Sequence, residues 1–372
     1  MTIGLLKEPA HETRVSLLAE AVTTLTKKGI TVIAESNAGE KAFCSNSDYE
    51  KAGATVKSRS EVLASADVLL SIHHPEPSDI DSVKSNASKI LIGVFQPLFH
   101  LSLMKDWAAA GITVFSLDML PRTTRAQAMD VLSSQANIAG YKAVLTAANT
   151  YSRYFPMFMT AAGSITPAKM LILGAGVAGL QAIATAKRLG AVVEVFDTRP
   201  AVKEEVMSLG AKFIEVEGAA DASKAGGYAV EQSEDFMQRQ KARIGESAAK
   251  SDIIITTAQI PGKKAPILIT EEMIASMRNG SVIIDLAAAT GGNTPFTKNN
   301  ETVRVNGVAI IGDSSLQSTM PSDASKMYGK NVLNFLQLIT TKEGALNLNW
   351  EDDLVKGCCI TYNGEIIHER IK

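Results

Sequence analysis

A glycine-rich turn carries the clearest chemical signal in this sequence. A short apolar run is followed directly by Gly174-Ala175-Gly176-Val177-Ala178-Gly179. Gly174 permits a tight turn, Gly176 allows a pyrophosphate to approach the backbone, and Gly179 lets the next helix pack close to the strand. That helix is predicted from about Leu180 to Leu189, with the positive end of its dipole toward the phosphates. The spacing predicts a dinucleotide site.

An acidic residue follows the second strand of the same segment. Val192 to Phe196 is predicted to be that strand, and Asp197 comes next, where an acid would hydrogen-bond the adenine-side ribose hydroxyls. A carboxylate would repel a 2′-phosphate, so the pattern favours NAD(H) over NADP(H), although the basic Arg199 could soften this preference. A plain helix-packing turn with a solvated acid is the alternative, and it explains Gly179 but not Gly176.

The elements that must position these residues follow from the alternation of apolar runs and helical segments. A chain of 372 residues is long enough for two domains with separate cores. Alternating strands and helices such as Leu17 to Lys27 predict parallel sheets with crossover helices. The predicted fold class is therefore α/β, with two Rossmann-like, doubly wound parallel-sheet domains joined by long helices. The predicted strands lie near residues 4–6, 31–34, 68–72, 90–95 and 113–117, and then near 169–173, 192–196, 253–256, 282–285 and 308–311.

Two helical segments are predicted to join the domains. Arg125 to Thr150 has apolar residues at helical spacing and is predicted to be one long connecting helix. Ala324 to Thr341 is similar, and we expect it to return the chain to the first domain, which a hairpin turning at Asn363-Gly364 completes. The expected N-terminal domain comprises residues 1–131 plus 318–372, and the expected NAD(H)-binding domain comprises residues 132–317.

Composition excludes several classes of partner. The formal net charge is −2 with acidic and basic residues interspersed, so we expect no nucleic-acid partner. No signal-peptide pattern occurs at the N-terminus, and no apolar run is long enough to span a bilayer. Cys44, Cys358 and Cys359 lack metal-ligand spacing, so no metal site is expected and the cysteines are predicted to be buried, reduced thiols of a cytosolic protein.

Further blocks of the sequence are typical of one family: Lys7-Glu8, Glu12 to Val15, Pro121-Arg122, Ser133 to Gln135, Thr160 to Gly163, Leu180 to Ala191, Ile260 to Lys263, Ile284 to Ala287 and Gly291 to Asn293. In these blocks the chain resembles the NAD(H)-binding component, domain I, of the proton-translocating NAD(P) transhydrogenase. The resemblance extends over essentially the whole length. Alanine dehydrogenase is similar in the same places at the level of fold and glycine turn.

The resemblance implies that a set of polar residues holds the nicotinamide end of NAD(H): Arg122, Gln127, Asp130 and Ser133. Residues spaced by three can face one side of the predicted connecting helix. Gln127 and Ser133 can hydrogen-bond a carboxamide or ribose, while Arg122 and Asp130 can pair and fix the loop, which orients the ring for hydride transfer. A solvated polar helix face is the alternative interpretation.

The resemblance also extends the nucleotide site. Tyr228 lies in an irregular Gly-, Ala- and Ser-rich segment, Glu215 to Ser233, and corresponds to the family's mobile loop, which closes over the nucleotide and excludes water. An exposed tyrosine at a loop tip is the alternative. Ala289 stands where an acid is common, and Leu316-Gln317-Ser318-Thr319 replaces a stretch that usually contains Pro and Arg. The expected cofactor-binding residues are Gly174, Ala175, Gly176, Val177, Ala178, Gly179, Asp197, Thr198, Arg199, Tyr228, Ala258 and Gln259.

The residues of the reacting site distinguish the two activities that the resemblance allows, transhydrogenation and oxidative deamination of an amino acid. Oxidative deamination moves a proton as well as a hydride, so it needs an acid–base group and cations for the carboxylate. Alanine dehydrogenases have a histidine and a lysine after two strands of the first domain, where this chain has Gln96 and His73. An amide cannot transfer a proton at neutral pH, and Arg14 alone does not make a substrate pocket. We expect the histidines His73, His74 and His100 to be solvated or capping residues.

The resemblance implies a Si/Re-specific, proton-translocating NAD(P)+ transhydrogenase component that is active only with its partners. We expect NAD(H) on this chain to exchange a hydride directly with NADP(H) on an NADP(H)-binding beta subunit. Membrane-spanning transhydrogenase subunits are the other expected partners, and this chain is expected to be a homodimer, cytoplasmic and peripheral on the inner face of the membrane. The alternatives are a soluble NAD-dependent oxidoreductase like alanine dehydrogenase and a non-catalytic NAD(H)-sensing module.

Overall fold

The computed structural model describes residues 1–83, 89–218 and 233–371. The chain divides into two compact units: unit 1 is Met1–Gln135 with Ser318–Lys372, and unit 2 is Ala136–Gln317. Each unit is built on a sheet of mainly parallel strands, which confirms the predicted fold class. The expected domain bounds, residues 1–131 with 318–372 and residues 132–317, stay a prediction.

The N-terminal portion of unit 1 alternates strands and helices. Its strands are β1 Thr2–Leu5, β2 Thr31–Glu35, β3 Thr55–Lys57, β4 Val68–Leu70, β5 Ile90–Gly93 and β6 Thr113–Ser116. Its helices are α1 Ala19–Thr26, α2 Asn46–Lys51, α3 Arg59–Ser65, α4 Pro77–Val83 and α5 Leu101–Ala109, followed by α6 Val131–Thr150, which continues into unit 2. The strands lie in the order β3-β2-β1-β4-β5-β6, the order of a Rossmann sheet.

Unit 2 repeats this topology. Its strands are β7 Phe158–Thr160, β8 Gly163–Ile165, β9 Lys169–Leu173, β10 Val192–Phe196, β11 Lys212–Phe213, β12 Ile253–Thr256, β13 Val282–Asp285, β14 Thr302–Val305 and β15 Val308–Ile311. Its helices are α7 Val177–Arg188, α8 Lys203–Ser208, α9 Glu234–Ala248 and α10 Glu271–Ser276. The main sheet has the order β11-β10-β9-β12-β13-β15-β14, and only its edge strand β14 is antiparallel among the described residues. A separate hairpin is formed by β7 and β8.

The C-terminal segment belongs to unit 1. It contains α11 Pro321–Leu336, α12 Asp353–Cys358, β16 Cys359–Tyr362 and β17 Glu365–Ile366. Strand β16 pairs antiparallel with β6, and the predicted hairpin between β16 and β17 turns at Asn363 and Gly364, both with positive φ. The sheet of unit 1 is thus extended at one edge by the end of the chain.

The structure confirms the strands that were predicted from continuous apolar runs. Such runs predict strands because parallel strands that are covered on both faces are buried along their length. In β12 and β13 each residue is buried, and in β9 only the first is exposed. Unit 1 packs one core on each face of its sheet, and unit 2 does the same. The sequence did not predict β3, β7, β8, β11 or β14, because these short strands are partly exposed and none is a continuous apolar run.

The prediction of one continuous helix over Arg125 to Thr150 is wrong at its beginning. Thr124–Met129 is a 3₁₀ helix, and Asp130 leaves the helical region with a ψ of 89°. The α-helix α6 begins only at Val131. Oδ1 of Asp130 accepts a hydrogen bond from the backbone N of Ser133 at 2.9 Å, which is the geometry of an N-cap residue. A capping acid therefore starts a new helix at the point where apolar spacing suggested continuity.

Among the described residues, no helix combines the length and apolar character needed to cross a membrane. The three cysteines are free and buried, as predicted.

Candidate functional site

The glycine turn of unit 2 connects β9 to α7. Gly174 has a φ of 103°, and a Cβ there would lie 2.3 Å from the hydroxyl oxygen of Thr257. A Cβ on Gly179 would lie 1.8 Å from the carbonyl oxygen of Gly174. The fold itself therefore requires both glycines: Gly174 because of its positive φ, and Gly179 because a backbone oxygen occupies the place of a side chain.

Gly176 differs from its two neighbours because the fold does not require it. Its φ is −76°, which any residue can adopt, and apart from its chain neighbours no described residue has an atom within 4 Å of a Cβ built on it. Gly176 is the N-cap of α7 and has no side chain to bind the first backbone amides of that helix, those of Val177, Ala178 and Gly179. Open space in front of unsatisfied amides at a helix N-terminus is the arrangement that binds phosphate.

Asp197 lies beside this turn, at the end of β10, with 6% of its side chain exposed. Its Oδ2 accepts a hydrogen bond from the backbone N of Ala175 at 2.7 Å. Arg199 donates from its backbone N and Nε to Oδ1 at 2.8 and 2.9 Å, and from Nη2 to Oδ2 at 2.8 Å. The hydrogen bonds to Asp197 raise the pKa of Arg199. A carboxylate has about four acceptor positions, so a ribose hydroxyl bound by Asp197 would replace one of these donors.

The loop after β12 lies at the same sheet edge because β12 is the other neighbour of β9. The backbone N of Thr257 donates to the carbonyl of Leu173 at 3.0 Å, which ties the start of this loop to the glycine turn. Ala258 and Gln259 follow, and the exposed Gln259 donates from Nε2 to the carbonyl of Leu286 at 2.8 Å. Those of the expected cofactor-binding residues that the structure describes therefore share one edge of the sheet of unit 2, with Thr198 half-buried between Asp197 and Arg199.

Two buried residues that were not predicted to be functional hold the same loop. Asp285 and Asn293 are both fully buried, and Oδ2 of Asp285 accepts a hydrogen bond from the backbone N of Asn293 at 2.6 Å. The Asn293 side chain in turn binds both the backbone N and the carbonyl of Ala258. The Gly-Gly-Asn sequence after a buried strand indicates a tight turn, but it does not show which loop Asn293 binds.

The polar residues expected at the nicotinamide end lie in unit 1 at the start of α6. Asp130 and Ser133 are in contact: Oγ of Ser133 donates to Oδ2 of Asp130 at 2.6 Å. Gln127 lies in the preceding 3₁₀ helix and Arg122 before it, and both are exposed. The expected alignment of Gln127, Asp130 and Ser133 on one helix face is wrong because the α-helix begins after Asp130. Pairing of Arg122 with Asp130 stays a prediction.

Side chains of α11 fix the shape of this segment. The carbonyl oxygen of Ala128 accepts hydrogen bonds from Nδ2 of Asn331 at 2.8 Å and from Nδ2 of Asn334 at 2.9 Å. Arg125 forms an ion pair with Asp352 at 2.6 Å, at the N-cap of α12. Because α11 and α12 come from the far end of the chain, their role could not be seen in the local sequence.

The histidine prediction needs a correction at His73. Nε2 of His73 lies 2.8 Å from Oε2 of Glu12, so His73 is neither a cap nor simply solvated. Burial raises the pKa of Glu12, but hydrogen bonds from Arg14 and His73 outweigh it and hold that pKa below its ordinary value. The Arg14 guanidinium donates to Glu12 from Nε and Nη2 and to Gln135 from Nη1. His74 packs edge-on against His100.

Glu8 lies next to this cluster and is buried just after the end of β1. Its two oxygens accept hydrogen bonds from the backbone N of Ile72 at 2.6 Å and of His73 at 3.0 Å. Burial raises the pKa of Glu8 to about 7. Glu8 is thus a group whose charge changes near neutral pH.

Other expectations concern positions away from these contacts. Tyr228 lies outside the described residues. Ala289 is exposed in a short 3₁₀ helix, Ala288–Thr290, and Leu316–Thr319 forms another. Within residues 1–83, 89–218 and 233–371, no group of three or more His, Cys, Asp or Glu side chains is arranged to hold a metal ion.

The chain thus has two Rossmann-like units, and the glycine turn of unit 2 is open at Gly176. The chain belongs to the alanine dehydrogenase/PNT family: the N-terminal domain of that family matches residues 4–139 and the C-terminal domain matches residues 143–369.

Within this family the chain is similar to the NAD(P) transhydrogenase alpha subunits, which confirms the resemblance seen in the sequence. It is 44% identical over 366 residues to an NAD(P) transhydrogenase subunit alpha protein of Rhodospirillum rubrum, covering 96% of this chain and 95% of that protein. The crystal structure of transhydrogenase from Sinorhizobium meliloti matches with a TM-score of 0.90 and 42% identity, covering 99% of this chain and 100% of that one.

A structure of L-alanine dehydrogenase shares the fold at greater sequence distance. Its TM-score is 0.84 at 24% identity, with 100% of this chain and 98% of that chain covered. The fold is therefore common to both branches, and the choice of activity depends on the sites.

Proposed function

We propose that unit 2 binds NAD(H) at its glycine turn and that the chain exchanges a hydride directly with NADP(H) held by a separate subunit. The observation that carries the proposal is Gly176, which leaves open space before the unsatisfied amides of α7 although the fold does not require a glycine there. A pyrophosphate is the group that this space and these donors suit. The relatives named NAD(P) transhydrogenase subunit alpha support the same activity.

The site in unit 1 supports a reaction that moves a hydride without a proton. Gln96 follows β5 with a φ of 49° and is exposed, and its amide cannot act as an acid or base. Arg14, the cation that a substrate carboxylate would need, has a protein acceptor for Nε, Nη1 and Nη2. Binding a carboxylate there would cost at least one of these hydrogen bonds. These contacts favour transfer between two nicotinamides over deamination of an amino acid.

The polar residues of unit 1 receive different roles in this proposal. The Asp130 carboxylate is engaged by Ser133 at the start of α6, so we assign Asp130 a positioning role. Exposed Gln127 and Arg122 are the members of the set that can contact the nicotinamide end of NAD(H). Ser133 can have both roles, because its hydroxyl donates to Asp130 and can also accept a hydrogen bond from a carboxamide or ribose.

Asp197 is proposed to select NAD(H) over NADP(H). Its carboxylate is already fixed by Ala175 and Arg199, so its position is set before the nucleotide arrives. A 2′-phosphate would meet this carboxylate at close range, whereas ribose hydroxyls can donate to it.

Partner subunits complete the proposed activity. The name "subunit alpha" of the relatives supports an NADP(H)-binding beta subunit and membrane-spanning subunits, with this chain peripheral on the cytoplasmic face. We also propose a homodimer. The hairpin of β7 and β8 supports it, because a lone two-stranded hairpin is marginal in water and this one exposes Phe158 and Met159 by 43% and 73%.

The decisive experiment mixes the chain with the NADP(H)-binding subunit and follows reduction of NADP+ by NADH. Transfer only in the mixture is expected. NADH oxidation by the chain alone with pyruvate and ammonia would instead establish an alanine-type dehydrogenase. NADH binding without transfer in the presence of a competent partner would establish a sensing module and overturn the proposal.

Sedimentation tests the proposed homodimer. We expect wild-type chain to sediment as a dimer and Met159→Asp to sediment as a monomer with unchanged circular dichroism. A wild-type monomer at the concentrations of the transfer assay would contradict the dimer.

A further inference from the structure

The Gly291-Gly292-Asn293 sequence builds a buried clamp beside the glycine turn. Gly291 and Gly292 both have positive φ, of 102° and 77°. A Cβ on Gly292 would lie 2.4 Å from Cβ of Thr297 and 2.8 Å from Oδ2 of Asp285. The two glycines therefore turn the chain tightly enough to bring Asn293 under the loop that follows β12.

The polar atoms of Asn293 form hydrogen bonds with both ends of that loop. Its Nδ2 donates to the carbonyl of Ala258 at 2.9 Å and to the carbonyl of Pro266 at 2.8 Å, and its Oδ1 accepts from the backbone N of Ala258 at 3.1 Å. Its own carbonyl accepts from the backbone N of Leu268 and of Ile269. Five hydrogen bonds from one fully buried residue thus hold the two ends of the loop together.

The clamp is anchored to the sheet and is connected to the glycine turn. Asp285, the last residue of β13, accepts from the backbone N of Asn293 at 2.6 Å. On the other side, Ala258 follows Thr257, whose Oγ1 lies 3.2 Å from the carbonyl of Leu173 and 3.3 Å from that of Gly174. Between the clamped ends, residues 259–264 are exposed. The position of Ala258 and Gln259 relative to the turn therefore depends on Asn293.

We propose that Asn293 is a positioning residue for bound NAD(H): its side chain fixes Ala258 and Gln259 at the edge of the sheet where the nucleotide binds. This inference depends on the proposed NAD(H) site of unit 2. Because the loop is already ordered in the free chain, binding does not have to order it, and affinity rises accordingly.

Asn293→Asp is the sharpest variant. It keeps the size and the acceptor for the Ala258 amide, but it replaces the Nδ2 donor by an oxygen that faces the carbonyls of Ala258 and Pro266. Thr297→Val is the matched control, because Thr297 donates to the same Asp285 oxygen at 2.6 Å and does not take part in the hydrogen bonds between Asn293 and the loop. Asn293→Ala removes the same contacts without adding a charge, and it serves if Asn293→Asp does not fold.

Fluorescence titration with NADH measures the Kd of each variant, and melting temperatures measured in parallel report its stability. We expect the Kd for NADH to rise at least tenfold in the Asn293 variants and less than twofold in Thr297→Val, although all melt earlier than wild type. With the partner subunit, the KM for NADH should rise with Kd, while kcat at saturating NADH falls less than threefold. Amide hydrogen exchange over residues 258–269 should be faster in the Asn293 variants only.

Equal NADH affinity in wild type and a folded Asn293 variant would overturn the inference and leave Asn293 a purely structural residue. Failure of the wild-type chain itself to bind NADH would overturn the proposed function instead. The two failures are therefore distinguishable in one titration series.

Discussion

The two crevices at the switch points of the two sheets share one hydrogen-bonding plan. In unit 2, Asp197 at the end of the second strand accepts from the turn amide of Ala175 and pairs with Arg199. In unit 1, Glu35 at the end of β2 accepts from the turn amide of Lys7 at 2.8 Å and pairs with Arg59 at 2.7 Å. An acid that ties the first turn to the second strand is thus present in both halves of the chain.

The residues of the turns make the two crevices different. Unit 2 has glycines, and the space before α7 stays open. Unit 1 has Lys7, Glu8 and Pro9 in the corresponding turn, and the carboxylate of Glu8 itself takes the backbone amides of Ile72 and His73. A pocket of about 170 Å³ remains there, lined by charged and histidine side chains.

This comparison teaches that topology places a crevice but does not make it a nucleotide site. Both sheets have the strand order of a Rossmann fold, and both have the acid. In unit 2 the helix α7 begins directly at the turn, with Gly176 as its N-cap and open space before its first amides, whereas in unit 1 the helix α1 begins only at Ala19, well after the turn.

The largest effect on NADH affinity is expected from a side chain at Gly176. It would fill the open space that distinguishes the crevice of unit 2 from that of unit 1. Serine is a good N-cap residue, so Gly176→Ser should fold with an unchanged or higher melting temperature. Its Cβ and hydroxyl would occupy the pyrophosphate position, and we expect NADH affinity to fall by about a hundredfold, or about 2.8 kcal/mol. Fluorescence titration with NADH measures this.

Gly179→Ala provides the contrast at the same turn. Its Cβ would lie 1.8 Å from the carbonyl oxygen of Gly174, so a marked drop in melting temperature is expected. Wild-type NADH affinity in Gly176→Ser would show that the pyrophosphate binds elsewhere.

Asp197 of unit 2 and Glu35 of unit 1 have the same structural role, but only Asp197 is expected to bind the ribose. Replacing each acid by its amide separates the two roles. Asp197→Asn should weaken NADH binding about tenfold, because a charged acceptor of the ribose hydroxyls is lost. Glu35→Gln breaks the equivalent bonds in unit 1 and should leave NADH affinity unchanged. Both variants should melt earlier than wild type, since each weakens a partly buried carboxylate–arginine pair.

Titration calorimetry with NADH and NADPH on both variants checks this prediction. An equal loss of NADH affinity in Glu35→Gln, or none in Asp197→Asn, would contradict the assignment of the ribose to Asp197.

The smallest effect is expected from Glu8, and it concerns stability alone. Burial raises the pKa of Glu8 to about 7, above the value of about 4.3 for an unfolded chain, so the folded state binds the proton more tightly. This stabilisation is complete below the unfolded pKa and is lost as the pH rises through about 7. Between pH 5 and 7 the free energy of unfolding should therefore fall, by about 1 kcal/mol per pH unit.

Urea denaturation at several pH values measures that slope. Glu8→Gln has no titrating group at this position, so its slope between pH 5 and 7 should be much smaller than that of wild type. A slope equal to the wild-type slope would show that another group causes the pH dependence. NADH affinity should not change in this variant, because Glu8 is buried and is not among the residues expected to contact NAD(H).

Local patterns predicted the strands and the glycine turn well. Apolar runs placed the strands β9, β10, β12, β13 and β15 within unit 2, since buried parallel strands need continuous apolar residues. The failure at Asp130 has a different cause. Apolar spacing continues across this residue, but a side-chain cap and two asparagines of α11 end the helical hydrogen bonding there.

Sites made of distant residues could not be predicted in the same way. Glu12 meets His73, 61 positions away, and Asn293 meets Ala258, 35 positions away. Neither pair has a periodicity or motif that joins its members in the sequence.

The sequence by itself determined the dinucleotide turn, the acid after β10 and the repeated strand and helix pattern, because each depends on residues within a few positions of one another. Only the tertiary structure decided which polar groups are satisfied. It joins Asp197 to Arg199 and Ala175, binds Glu8 to the backbone amides of Ile72 and His73, and places Asn293 under the loop after β12. Buried polar atoms must find partners wherever the fold brings them, and those partners are set by packing.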